Sequence, residues 1–193
     1  MFIKVRKYEE KDRARIREIC KETASDKYKK SSNTLETIPI MFADYFMDYE
    51  PDSIFVAVDE EDRVIGYIEC ATDYKRFMRV NKKEIIPRIK RYDKKQVPFW
   101  YSCLFAVLPI KKKFVHLHMN LTKAYQRQGI GTRLMDSLIC HLAERGINNL
   151  SVCCISNKSV GYSFYTKYGF KVFFRYGFGL VSLCIDTFQH LKK

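Results

Sequence analysis

The chain has 193 residues, of which 47% are hydrophobic, 15% aromatic and 30% charged, with a formal net charge of +13. This length and aromatic content suit one folded domain with a substantial core and exclude a disordered tail. The longest weakly polar run, Val97 to Ile110, is too short for a membrane span and holds two prolines. In chain order, Phe2 to Lys7 alternates as a first strand, and Asp12 opens an amphipathic helix with Ile16, Ile19 and Cys20 on one face. Ser25 to Thr34 reads as a loop. Thr37-Ile38-Pro39 reads as the start of a helix running to about Tyr49. Ile54 to Val58 and Val64 to Ala71 are strands joined by a hairpin at Asp59 to Asp62. A long insertion follows, in which Phe77, Val80, Ile85, Ile86 and Ile89 suggest a helix broken near Pro87. Phe114 to Leu121 is rich in strand formers, and Thr132 to Arg145 carries Leu134, Leu138 and Leu142 on one helical face, with Gly146 as its C-cap. Leu150 to Ser156 is another strand, and Lys171 to Arg175 with Val181 to Ile185 form a closing hairpin.

Charge is concentrated in the insertion, where Lys75 to Lys113 carries thirteen Lys and Arg against Glu84 and Asp93. Such a region can hold nucleic acid, an anionic surface, an acidic substrate or phosphates, or it can be an ordinary solvated face. Seven cysteines match no zinc-binding spacing, so buried thiols and no metal site are expected. Met1 to Arg6 runs straight into charge without a secretory h-region, which sets the expectation of a cytoplasmic protein with no membrane partner.

Between the strand ending at Leu121 and the long helix stands Gln126-Arg127-Gln128-Gly129-Ile130-Gly131-Thr132. A helix entered through glycines presents unpaired N–H groups and the positive end of its dipole, and bare glycines let a pyrophosphate come close. No Gly-Lys-Ser/Thr follows, so this is not a Walker loop, and the third glycine of the dinucleotide fingerprint is missing. Gln126-x-x-Gly129-x-Gly131 resembles the acyl-coenzyme A pyrophosphate loop of the GNAT superfamily of N-acetyltransferases. The strand Leu150 to Ser156, then Asn157, then Phe164-Tyr165-Thr166-Lys167-Tyr168-Gly169-Phe170 follow in that family's order. Tyr49 to Ala57 and His116 to Asn120 are similar to a bacterial subgroup related to the acetyltransferase-like domains of O-GlcNAcases. The resemblance implies one GNAT-like domain over residues 1–193 with a basic and aromatic insertion at about 74–113. Its α/β fold would be a mixed, mostly antiparallel sheet of about seven strands, with helices on both faces and the fourth and fifth strands splayed.

The resemblance also implies acetyl-coenzyme A as cosubstrate, direct transfer to an unidentified primary amine, and a monomer or homodimer. Tyr165 would protonate the leaving sulfur, Asn157 would bond the pantetheine arm, and the N–H groups of Met119 and Leu121 would polarise the thioester. Residues Gln126 to Thr132 (Gln126, Arg127, Gln128, Gly129, Ile130, Gly131, Thr132) would hold the pyrophosphate. A general base could be His118, Asp73, His116, Glu69 or a water; an ordinary imidazole titrates near neutrality and suits the task. Tyr165 could instead be a packing aromatic, and Asn157 a helix N-cap. Phe99, Trp100, Tyr101, Leu104 and Phe105 could form a lid over the acceptor, or pack the insertion on the core or on a second copy. Two other functions stay open: a silent coenzyme-A-fold binding module, and nucleic-acid binding through residues 75–113, for which no reading motif is present.

Overall fold

The computed structural model describes residues 2–107, 115–154, 159–176 and 179–192. Its strands are β1 (Lys4–Lys7), β2 (Ile54–Val58), β3 (Val64–Ala71), β4 (His116–Leu121), β5 (Asn149–Cys154), β6 (Lys171–Arg175) and β7 (Val181–Asp186). They form one sheet in the order β1-β2-β3-β4-β5-β7-β6. Every neighbouring pair is antiparallel except β4 with β5. Strands β2 and β3 are buried throughout, which is why both read as nearly unbroken apolar runs: helices cover both faces.

The helices are α1 (Arg13–Glu22), α2 (Asp26–Lys29), α3 (Ser32–Phe42), α4 (Asp44–Tyr49), α5 (Tyr74–Val80), α6 (Ile86–Asp93), α7 (Val97–Ala106), α8 (Ile130–Glu144), α9 (Val160–Tyr168) and α10 (Thr187–Leu191). On one face of the sheet α8 buries Leu134, Met135, Leu138, Ile139 and Leu142 against Ile68, Leu117 and Leu150. Each such side chain contributes roughly 1.5–3 kcal/mol of transfer free energy. Gly146, at φ 72°, ends that helix as expected, with its N–H on the Ala143 carbonyl at 2.9 Å.

The opposite face carries α1, α3, α4 and the insertion, packed on Tyr67 and Ala71. Here the sequence reading needs correction. The helix expected from Thr37 starts at Ser32, capped by the Ser31 hydroxyl, so Pro39 lies inside it. The break comes after Phe42, where Ala43 leaves helical geometry at φ −134° before α4 begins. The polar loop expected at 25–34 therefore holds α2 and the first turn of α3. In the insertion, the break expected near Pro87 takes the form of a π turn just before it. Residues Asn81–Ile85 form a π turn, the Ile86 N–H reaching back to the Asn81 carbonyl, and Pro87 sits in the first turn of α6, where its missing N–H costs little.

Phe77, Val80, Ile85, Ile86, Ile89, Trp100 and Leu104 of the insertion are all buried in the same core as α1 and α3. Lys82, Lys83, Lys90, Lys94 and Lys95 are exposed on its outer side. Two side chains fasten it. Buried Asn81 accepts a 2.8 Å bond from the Trp100 indole, and Asp44, 2% exposed, lies between Arg17 of α1 and Arg88 of α6. Among the described residues no helix is long and apolar enough to cross a membrane, and no cluster of His, Cys, Asp and Glu could hold a metal ion.

Candidate active site

Strands β4 and β5 share a single register pair, His116 with Ser151, where the Ser151 N–H meets the Val115 carbonyl at 2.7 Å. Beyond it the two strands part. Backbone groups alternate sides along a strand. The Val115 carbonyl faces β5, and the Thr122 N–H faces β3, where it binds the Ile65 carbonyl at 3.0 Å. Residues 117, 119 and 121 therefore turn their backbone groups toward β5, and the N–H groups of Met119 and Leu121 enter the gap. The Leu121 carbonyl on that side is taken by the Gln126 amide at 3.0 Å. Gln126 thus ties the loop to the strand, as Gln128 does to the Ala124 carbonyl at 3.0 Å.

The loop itself departs from ordinary geometry at two residues. Arg127 has φ 63° and Gly129 φ 79°, so the chain passes twice through the left-handed region before α8 begins. A Cβ built on Gly129 meets nothing within 4 Å, which leaves open space over the helix terminus. Among the described residues the backbone N–H groups of 127–131 have no recorded acceptor. Lys123, Arg127 and Arg133 are exposed around them and enter no recorded ion pair. Unpaired donors, the helix dipole and three cations make an anion site. Gly131 differs: a Cβ there would lie 3.3 Å from the Phe164 ring and 3.8 Å from the Met119 methyl, so its bareness serves helix packing as well as ligand approach.

A cavity of about 370 Å³ opens from this gap into the face covered by α1, α3 and α7. Met119, Cys154, Gly161 and Tyr165 line one end, while Tyr28, Phe42, Phe99 and Trp100 line the other. Tyr165 is 6% exposed, flanked by Phe164 at 5.2 Å and Phe170 at 5.3 Å, and its hydroxyl has no recorded partner among the described residues. Burial, and then the nearby Cys154, push its acidity well below that of an ordinary phenol. The match expected between a free phenol and a thiolate is therefore lost, and the hydroxyl is set up to keep its proton and donate a hydrogen bond.

His116, His118 and Asn120 alternate along β4 toward the cavity. The Asn120 amide lies 3.1 Å from His118 Nε2 and donates to the Tyr67 hydroxyl at 3.0 Å, while Phe42 stacks on the His118 ring at 5.2 Å. With the amide as donor, Nε2 accepts and the imidazole is neutral. Burial lowers the pKa of His116 to about 4, and burial followed by His116 lowers His118 to about 3. Neither ring is the near-neutral base anticipated from its residue type, because the pocket penalises its charged form.

Asp73 is not brought into the cavity: it is exposed and caps α5, accepting the Arg76 N–H at 2.9 Å. Glu69, cross-strand from His118, is fully buried, and both of its oxygens lack a hydrogen-bond partner among the described residues. Burial, then Asp44, hold its pKa well above the usual carboxylate range, so it stays protonated. Asn157 lies outside the described residues. The reading from sequence missed Phe42, whose place under a shifted helix boundary hid it, and Asn120, whose spacing with the two histidines could have signalled a shared face.

Comparison with known proteins bears on this geometry. No curated protein gives a significant sequence match. Among solved structures, one described as SsHAT superposes with a TM-score of 0.85 at 24% identity, over 97% of this chain and 99% of that one. The PaiA N-acetyltransferase of Thermoplasma acidophilum, in complex with coenzyme A, gives 0.65 at 19% identity over 96% and 99%. A Drosophila melanogaster polyamine N-acetyltransferase gives 0.63 at 13% identity over 96% and 100%. At these identities the likeness is one of fold. The model of the acetyltransferase (GNAT) family matches residues 14–170, and the chain belongs to that family.

Proposed function

We propose that this chain, acting as one domain, moves the acetyl group of acetyl-coenzyme A directly to a primary amine. GNAT acetyltransferases use acetyl-coenzyme A, and the residues here suit it. The N–H groups of 127–131 with Lys123, Arg127 and Arg133 would receive the pyrophosphate, and the gap between β4 and β5 would receive the pantetheine arm. The observation that carries the reading is the pair of backbone N–H groups, Met119 and Leu121, turned into that gap beside the unpartnered Tyr165 hydroxyl.

The chemistry is a single displacement. The amine nitrogen adds to the thioester carbon, and the carbonyl oxygen takes up negative charge facing the N–H of Met119 or Leu121. Collapse breaks the carbon–sulfur bond and releases coenzyme A thiolate, which the Tyr165 hydroxyl stabilises by donating a hydrogen bond. The proton lost by the nitrogen passes to water and then to the thiolate, because His118 is too weak a base to keep it. The amine must therefore arrive uncharged.

The test is a titration with acetyl-coenzyme A followed by thiol-release assays with amines. Stabilisation by the cosubstrate, and thiol release only when an amine is present, is the expected result. Absence of stabilisation would overturn the reading. Stabilisation without transfer to any amine would leave a silent binding module.

A further inference from the structure

The acceptor end of the cavity is built from rings. Phe42 lies 5.3 Å from Trp100 at an interplanar angle of 83°, 6.4 Å from Phe99, and 5.2 Å from His118; Tyr28 lies 5.8 Å from Phe99. Cys103 and Leu104 complete this wall. Among the described residues no Asp, Glu, Lys or Arg lines the cavity. Of the carboxyl groups close by, Glu69 beside His118 is buried and held in its neutral form, and two others are committed. Asp44 is held by Arg17 and Arg88, and Glu50 by Arg76 at 3.0 Å, the Tyr45 hydroxyl at 3.0 Å and Thr72. Lys27 sits outside the wall, its Nζ 4.7 Å from the Tyr28 ring centre and 5.6 Å from that of Phe99.

These observations bear on which amine can enter. A second ammonium on the acceptor would be buried without an ionised carboxylate, at a cost of several kcal/mol that cation–π attraction of about 0.5–2 kcal/mol offsets only in part. At the mouth it would also meet Lys27. An aromatic or bulky apolar group would instead replace water on the ring wall, with offset or edge contacts at the ring separations seen here. The lowered pKa of both cavity histidines records the same hostility to positive charge.

We infer that the acceptor is a monoamine whose amino group is carried on an aromatic or comparably apolar frame, seated against Phe42, Phe99 and Trp100 with the nitrogen toward the β4–β5 gap. This rests on the acetyl-transfer reading above and names its acceptor class. The exposed lysines of the insertion, on its outer side, then take no part in choosing the acceptor.

The experiment compares 2-phenylethylamine and tryptamine with putrescine, spermidine and ethanolamine at saturating acetyl-coenzyme A, reading thiol release, with cosubstrate binding measured separately by calorimetry. A kcat/KM at least about 10-fold higher for the aromatic monoamines supports the inference. So does a rise of KM for them of about 10-fold in Phe99→Ala with cosubstrate affinity unchanged. Phe99 is only half-buried, so its loss should leave the fold intact. Phe99→Leu, which keeps an apolar wall, should recover part of the loss. Equal or better use of putrescine or spermidine overturns the acceptor class while leaving acetyl transfer standing. Cosubstrate binding without transfer to any of the five amines also overturns it. Failure of acetyl-coenzyme A to bind overturns the transfer reading itself.

Discussion

Acid should weaken this protein between pH 6.5 and about 4.5, through His116 and His118. Their pKa values are lowered from 6.5 to about 4 and about 3 in the folded state, with burial the first cause for both. A group depressed on folding binds more protons when unfolded, so stability rises with pH across the window and is lost on acidification. At pH 4.5 each ring has resisted about two units of titration, or about 2.7 kcal/mol at 1.36 kcal/mol per unit. Both rings keep a face on the cavity, where water screens part of the penalty, so about 3 kcal/mol for the pair is the working figure. That is a large share of a domain's usual 5–15 kcal/mol. Glu69 acts with the opposite sign. Its raised pKa means the folded state holds the extra proton, so its contribution is full below about 4.5 and fades as pH rises. Urea unfolding at pH 7 and pH 4.5 would measure the balance. His118→Gln should flatten the acid loss and Glu69→Gln should steepen it. An unchanged slope in His118→Gln would refute the argument.

Three further outcomes are expected. Tyr165→Phe should lower kcat by about 10²-fold or more while acetyl-coenzyme A affinity in calorimetry stays within a few-fold, because only a hydrogen-bond donor to the leaving thiolate is lost; an unchanged kcat would return Tyr165 to packing. Gly129→Asn tolerates the left-handed backbone and adds a side chain in open space, so acetyl-coenzyme A binding should fall about 10-fold or more with little change in melting temperature. Gly131→Val should lower both, since Phe164 stands 3.3 Å from the new Cβ, and loss of binding there alone would be ambiguous. Reversing Lys82, Lys83, Lys90, Lys94 and Lys95 should leave cosubstrate affinity and transfer to neutral-framed amines nearly unchanged; salt-steep nucleic-acid binding lost on that reversal, with acetyl transfer absent, would favour the rival use of the insertion.

Much of the fold could be read in advance where periodicity and punctuation agree. Strands β2 and β3 and the stripe of α8 with Gly146 were visible because short apolar runs, helical spacing and a glycine stop act within a few residues. The α3 boundary was not, because Pro39 is a start signal when judged locally and only the Ser31 cap outranks it. The π turn was hidden too, since one extra residue per turn leaves no mark on the apolar spacing. For the site, glycines and the tyrosine could be named from their order along the chain. Protonation could not. A histidine's residue type says pKa 6.5, and only the rings packed around it say about 3. Asp73 shows the converse, a carboxylate at a plausible position whose nearest task turns out to be a helix cap.

The shared grip of Arg17 and Arg88 on Asp44 has a kinetic meaning. Because a single buried carboxylate serves both α1 and α6, losing either arginine leaves it half-paired in the core, and losing both strands its charge at a loss of about 3–5 kcal/mol. Helix α6 should then not breathe as a separate flap. Its amide protons in α6 should exchange with solvent on the timescale of whole-molecule unfolding rather than in fast local openings.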